Sequence, residues 1–298
     1  MGLRDPEDFP ALYKSADRTA VNAQGRFLNA LRTRLAGLLV AVVGGAISWS
    51  VGSVEVGGTV SLVAFALAIA AELNMALVRP DRAWYEGRAA AESAKTLTWR
   101  YVVRGESFSD INDPDADRLF LRELQDILQD LDLISLDAGE GDELQITNRM
   151  RTLRHNSFKS RRELYLTGRI HDQRSWYSKK ARWNETRGRQ WTVASVAAEF
   201  VGLVCGAAKA FGGLHVDLAG VLAAIAATIT AWVQAKQHQN LATAYGVTAQ
   251  ELASVASELV ALTNESDWAD FVGRAEEAIS REHTLWRGFT RHPHPRNA

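Results

Sequence analysis

The sequence predicts an all-α membrane protein: two transmembrane helical hairpins, four spans in all, carrying long cytoplasmic helices in a duplicated module. Three observations predict this. Four apolar runs are long enough to cross a bilayer, cations gather on one side of both hairpins, and the two halves of the chain repeat one order of segments.

Residues 35–54 contain no charge, and residues 57–78 are interrupted only by Glu72 and Asn74. Residues 190–208 carry one charge, Glu199, and residues 218–235 carry none. About 20 residues rising 1.5 Å each cover a hydrocarbon core about 30 Å thick, so each run suffices as a span. Each is apolar on every face rather than along a stripe, which favours lipid over a soluble bundle with buried hairpins. The links, residues 53–58 and 209–217, are short and contain glycine, which requires tight helical hairpins. The segment before the first run carries Asp5, Glu7, Asp8 and Asp17, unlike a cleaved signal peptide.

Orientation follows from the cations. Arg26, Arg32 and Arg34 precede the first pair of runs and Arg79, Arg82 and Arg88 follow it. Arg182, Arg187 and Arg189 precede the second pair and Lys236 follows it, against Lys209 alone in its link. The positive-inside rule then places both termini and the polar mass in the cytoplasm, making the chain a multi-pass protein. Trp49, Trp84, Trp191 and Trp232 fall near span ends, where amphipathic rings settle.

A shift of about 156 residues lays one half on the other, giving a parallel internal repeat. The expected organisation is a first two-span module at 1–104, an acidic linker with short helices at 105–159, a second two-span module at 160–288, and a disordered tail at 289–298. Residues 105–148 hold thirteen acids against Arg118 and Arg122, a net of −11, whereas residues 151–189 have a net of +9. Those stretches form either a latch or two separately solvated faces. Phe120, Leu124, Ile127, Leu128 and Leu131 recur at helical spacing, and Ser160 with Glu163 reads as a capping box opening a long helix into the third span.

Charge balance, 34 basic against 35 acidic side chains, argues against a bulk nucleic-acid binder. The single cysteine, Cys205, excludes an intrachain disulfide framework and a zinc site of several thiolates. A glycine-rich phosphate loop, a nucleophile elbow and a His-Glu-x-x-His motif are missing from the sequence, so no enzyme, cofactor or metal site is expected. Asp113, Asp115 and Asp117 resemble a calcium loop only at their start and read better as acids opening a helix. His292 and His294 belong to the tail.

Chemistry is left to the carboxylates inside the runs, since an ionised carboxylate at mid-depth costs roughly 2.5–3.5 kcal/mol. Glu199 lies about 15 Å along the helix from Arg189, beyond easy snorkelling. Ser195, Glu199, Gly202 and Gly206 share one helical face, fit to line a pore or to pack closely. Glu72, with Asn74 nearby, sits closer to the cytoplasmic end and reads equally as interfacial or pore-lining. Gly37, Ala41, Gly45 and Ser48 in the first run, and Gly220, Ala224 and Thr228 in the fourth, read as helix-packing positions. Four such helices leave little room for a channel in one chain, so conduction requires a homo-oligomer with Glu199 repeated around an axis.

The stretch from Trp84, Tyr85, Glu86, Gly87 and Arg88 through Lys95 and Thr96 to Trp99, Arg100 and Tyr101 resembles the signature that follows the hairpin in the SLATT superfamily of bacterial two-transmembrane domains. Ile146, Thr147, Asn148, Arg149 and Met150, then Tyr165, Arg169, Ile170, Trp176 and Tyr177, are similar to the junction and second module of its tandem members. Trp268, Phe271, Val272, Glu276, Glu277, Glu282 and Trp286 are similar to that module's closing helix. The resemblance implies a membrane effector, proposed to form pores, that depolarises the bacterial inner membrane when a conflict system senses infection. Family members are associated with nucleotide-synthesising or nucleotide-sensing domains that are not seen in this sequence, so the resemblance implies a trigger from a separate nucleotide-synthesising or nucleotide-sensing protein or from a diffusible nucleotide. The functional expectation is an oligomeric pore-forming effector of antiviral abortive infection in the inner (plasma) membrane. The alternatives are a membrane-anchored scaffold for cytoplasmic partners and a proton-coupled transporter using Glu72 and Glu199.

Overall fold

The computed structural model describes residues 2–3, 6–47, 50–131, 136, 144–213, 218–262 and 264–290. Ten helices carry the fold among them: α1 (Ala11–Ala46), α2 (Val56–Val78), α3 (Pro80–Val103), α4 (Asp113–Gln129), α5 (Asn148–Arg154), α6 (Phe158–Tyr165), α7 (Asp172–Ala210), α8 (Leu218–Lys236), α9 (His238–Ala261) and α10 (Glu265–Thr290). A π-helical turn, Leu166–His171, joins α6 to α7. The expected Trp49 anchor, Ser48, and the tail from residue 291 on, including His292 and His294, lie outside the described residues.

Among the described residues four helical runs are long and apolar enough to cross a membrane: Ala11–Ala46, Val56–Val78, Phe158–Ala210 and Leu218–Ala261. The first ends earlier than its apolar composition suggests. α1 stops at Ala46, and the chain turns through a two-stranded ribbon, β1 (Ser50–Val51) and β2 (Val54–Glu55), in which Val51 pairs with Val54. Gly52 takes the left-handed conformation that this turn requires, at φ 64°. The Glu55 side chain then accepts from the Gly58 N–H and caps α2. At the end of α7, Gly212 has φ 79° and the Gly213 N–H reaches the Ala208 carbonyl at 2.8 Å, a glycine-made helix stop.

Both hairpins leave the apolar region through the same device. Arg79 closes α2 at φ 49° and Pro80 opens α3; Gln237 closes α8 at φ 49° and His238 opens α9. A single left-handed residue ends one helix while the next begins at once, and this matched joint is a structural sign of duplication.

The chain divides into two compact units. One comprises Met1–Gln24, Asp81–Lys179 and Ala244–Ala298; the other comprises Gly25–Pro80 and Lys180–Thr243. The first holds the aromatic core. Trp99, Tyr101, Phe108, Phe120, Tyr165, Trp268 and Phe271 are all at most 2% exposed. Trp268 meets Tyr165 edge to face, stacks on Phe271 and donates its Nε1–H to the Val103 carbonyl at 2.7 Å, so α10 is fixed on the end of α3.

Caps set the short helices of this unit. Asn112 accepts from the Asp115 N–H at 2.9 Å, placing Asp113 and Asp115 in the first turn of α4, where the helix dipole favours acids. Phe120 and Leu124 turn inward as their spacing predicts. The cap of α6 corrects the sequence reading: Ser157, not Ser160, accepts the free amide, and the helix begins at Phe158. Ser160 lies inside the first turn, where its N–H is the donor.

The second unit holds the hairpins, and much of its apolar surface is bare. Leu62, Leu203 and Phe211 are 71%, 70% and 91% exposed, which suits helices that face lipid.

Candidate functional site

In the first hairpin, small residues let two helices approach. Gly37, Ala41 and Gly44 on α1 are buried, as are Gly57, Ala64, Ala68 and Ala71 on α2. A β-carbon on Gly37 would stand 2.9 Å from the Ala64 carbonyl oxygen, and one on Gly44 2.9 Å from that of Gly57. The Ser61 hydroxyl crosses the seam and donates to the Ala41 carbonyl at 2.7 Å. The seam passes through Gly44, and Gly45, expected there from sequence, is exposed. A β-carbon on Gly45 would lie at an ordinary 3.6 Å from the Ser61 hydroxyl, against 2.9 Å for one on Gly44, so Gly44 makes the closer approach to α2.

Glu72 lies on this hairpin with its counter-ion. Its carboxylate pairs with the Arg34 guanidinium of α1, on a surface where both side chains are 40–50% exposed. Asn74 is exposed on α2. Glu72 therefore belongs to an ion pair level with the cation cluster that opens the first span.

The second hairpin packs through Gly202 and Gly206. Their β-positions lie 3.4 Å from Leu222 Cβ and 3.7 Å from Ala219 Cβ, so both glycines serve the α7–α8 contact. On α8, Gly220 is exposed and Ala224 is half-buried. Glu199 stands outside that contact and exposed; its carboxylate accepts from the Ser195 hydroxyl at 3.3 Å. Among the described residues no cation lies within ion-pair distance of Glu199.

At the joint after α8, sequence reading missed a buried polar pair. His238 is 3% exposed, and its Nδ1 meets Asn184 Oδ1 of α7 at 2.8 Å, while the Asn184 amide donates to the Lys180 carbonyl. The Trp183 ring packs on the imidazole with centroids 5.5 Å apart. Burial, then the charges of Lys236 and Arg187, hold the His238 pKa below its ordinary value.

The other unit contains a buried network. Arg169, inside the π-helical turn, donates to both carboxylate oxygens of Glu276 at 2.9 and 2.6 Å. Tyr165 and Thr96 donate to the same carboxylate, each at 3.0 Å. Burial weakens the Arg169 charge, but Glu276 outweighs it and holds the guanidinium above its ordinary pKa. Burial and the Glu276 charge push the Tyr165 phenol well up, so it stays a donor. Nearby, Arg154 is fully buried, donates to the Tyr101 and Phe108 carbonyls, and bonds Asp113 of α4 at 3.0 Å. Arg151 bonds Asp117 at 2.9 Å. The acidic and basic stretches thus meet at α4 and α5.

Comparison with known families decides the kinship. A model described as SMODS and SLOG-associating 2TM effector domain 3 matches residues 10–162, more than half of the chain. The chain belongs to the SLATT superfamily. A second model, SMODS and SLOG-associating 2TM effector domain 1, matches residues 165–286. No curated protein and no solved structure matches the chain.

Each SLATT match contains two of the four apolar runs, α1 with α2 and α7 with α8. The protein is a tandem SLATT membrane protein. The residues that carried the family resemblance build the aromatic and ionic core of the polar unit: Trp99, Tyr101, Met150, Tyr165, Arg169, Trp268 and Glu276 are each at most 2% exposed. The side chains of Glu282 and Trp286 lie outside the described residues. Motif residues here specify packing between the outgoing helix α3 and the closing helix α10, and the carboxylate candidates in the apolar runs lie outside every motif.

Proposed function

We propose that the protein is an oligomeric membrane effector of a bacterial antiviral conflict system that permeabilises the inner membrane. Its termini lie in the cytoplasm, both hairpins point outward, and its modules follow the divisions 1–104, 105–159 and 160–288. The carrying observation is Glu199, a carboxylate in the middle of an apolar helix, exposed, supported by Ser195, and without a cation partner among the described residues. Lipid is a poor neighbour for that group, whereas a ring of copies would give it water and cations. Glu72 is the weaker pore candidate because Arg34 already neutralises it. The family's description as an effector domain supports the same reading.

The decisive experiment is ion flux from purified protein in liposomes, alongside membrane potential in cells after induction. Wild type should collapse the potential, Glu199→Leu at equal membrane level should not, and Glu199→Asp should retain most of the flux. Normal flux from Glu199→Leu would remove Glu199 from the mechanism.

A scaffold reading has one observation in its favour, the large polar unit with its own core. A scaffold would recruit partners and leak nothing in the liposome assay.

A further inference from the structure

Arg32 on α1 and Lys236 on α8 converge on one indole. The Arg32 guanidinium carbon is 5.5 Å from the Trp232 ring centroid, and the Lys236 ammonium is 5.4 Å from it. Arg32 also donates to Asn29 Oδ1 at 3.2 Å. Among the described residues neither cation has a carboxylate within 4.0 Å. The ring is half-buried and carries no net charge, so cation–π attraction leaves the repulsion between the two cations uncancelled. Arg187 stands on α7 of the same unit, 5.7 Å from Trp183, and bonds Gln190 rather than an acid. The charges of Lys236 and Arg187 both reach His238, so this end of the hairpins is cationic on α1, α7 and α8.

Position defines the counter-ion. Trp232 and Lys236 close the apolar run of α8, and Arg32 stands where the uncharged run of α1 begins, so the cluster falls at headgroup level. A phosphodiester supplies one negative charge and several acceptor oxygens at that depth. Its glycerol and acyl chains would run from the indole along the apolar residues of α8.

We propose that Arg32, Lys236 and Trp232 bind the phosphate of an anionic phospholipid, which bridges α1 of the first hairpin and α8 of the second. This rests on α1 and α8 crossing a membrane and is independent of whether a pore forms.

The test uses the full chain in an uncharged detergent, titrated with phosphatidylglycerol, phosphatidylcholine or inorganic phosphate while its thermal midpoint is followed. Phosphatidylglycerol should raise the midpoint saturably, and the other two should not at equal concentration. Arg32→Gln with Lys236→Gln should weaken the response about tenfold or more. Arg182→Gln with Arg189→Gln, which removes two cations from the same stem, should leave it within about twofold. Equal responses to the two lipids, an equal response to inorganic phosphate, or equal loss in both double variants would overturn the proposal. Should the first double variant fail to fold, native mass spectrometry of the wild type decides: retained phosphatidylglycerol in preference to phosphatidylcholine supports the site, and no preference overturns it.

Discussion

Arg169 and Glu276 face each other at 2.6 Å with both side chains 1% exposed, one from a π-helical turn and the other from α10. Two charges withdrawn from water this completely are tolerable only as a pair, and Tyr165 and Thr96 complete the carboxylate's bonding. The family resemblance included both residues, and their burial as a pair accounts for the place of these two positions in the motif.

Breaking that pair should destabilise the polar unit strongly. We expect Glu276→Leu alone to cost about 3–5 kcal/mol, because it strands the Arg169 charge. Arg169→Met combined with Glu276→Leu should cost less than the sum of the singles. A double-mutant cycle measured by denaturant unfolding checks this, and additive losses would show that the two charges are not coupled.

The first hairpin should discriminate sharply between neighbouring glycines. Gly44→Val places side-chain atoms against the Gly57 carbonyl and Ser61, so it should cost about 1–3 kcal/mol or open the seam. Gly45→Val, at an exposed position whose β-carbon would meet Ser61 only at an ordinary 3.6 Å, should cost clearly less. Thermal melting in detergent reads both, and equal sensitivity would mean the seam is misplaced by one residue.

Glu72 and Arg34 should behave as a removable pair. Glu72→Gln should leave ion flux within about twofold of wild type, since the carboxylate is already occupied by a cation on an exposed surface where pairs contribute little. Flux lost in Glu72→Gln and restored by adding Arg34→Gln would place the pair in the conduction path instead.

His238 should make the joint after α8 sensitive to acid. Its folded pKa lies below its ordinary value of 6.5, so the unfolded chain binds the proton more readily. The stability from the neutral imidazole is therefore fully present above pH 6.5 and is lost as pH falls through the lowered folded value. Thermal midpoints measured from pH 7.5 to 5 should fall on acidification, and His238→Gln should flatten that dependence. An unchanged slope in the variant would assign the effect to other groups.

The four apolar helices were legible because hydropathy is a local sum: a run of about 20 mostly apolar residues declares itself without knowledge of any partner, although α1 stops at Ala46, before its apolar run ends. The same holds for the order of segments, the tandem repeat and the inward face of α4, where Phe120 and Leu124 follow helical spacing. Glu199 was equally legible, as a charge in a run that has no other.

Pairing was not legible. Arg169 and Glu276 are 107 residues apart, and neither composition nor period says which arginine meets which glutamate. Asn184 gave no sign that it would hold His238, nor Arg34 that it would neutralise Glu72. The choice of Gly44 over Gly45 depends on the rotation of α1 about its axis, set by how its backbone approaches Gly57 and Ala64. The sequence by itself determined where the chain is apolar, how often the module occurs and which helices are amphipathic, because those properties belong to single segments. Only the tertiary structure decided which charges are cancelled and which glycines touch, because these depend on the rotation and approach of two helices that no one segment encodes.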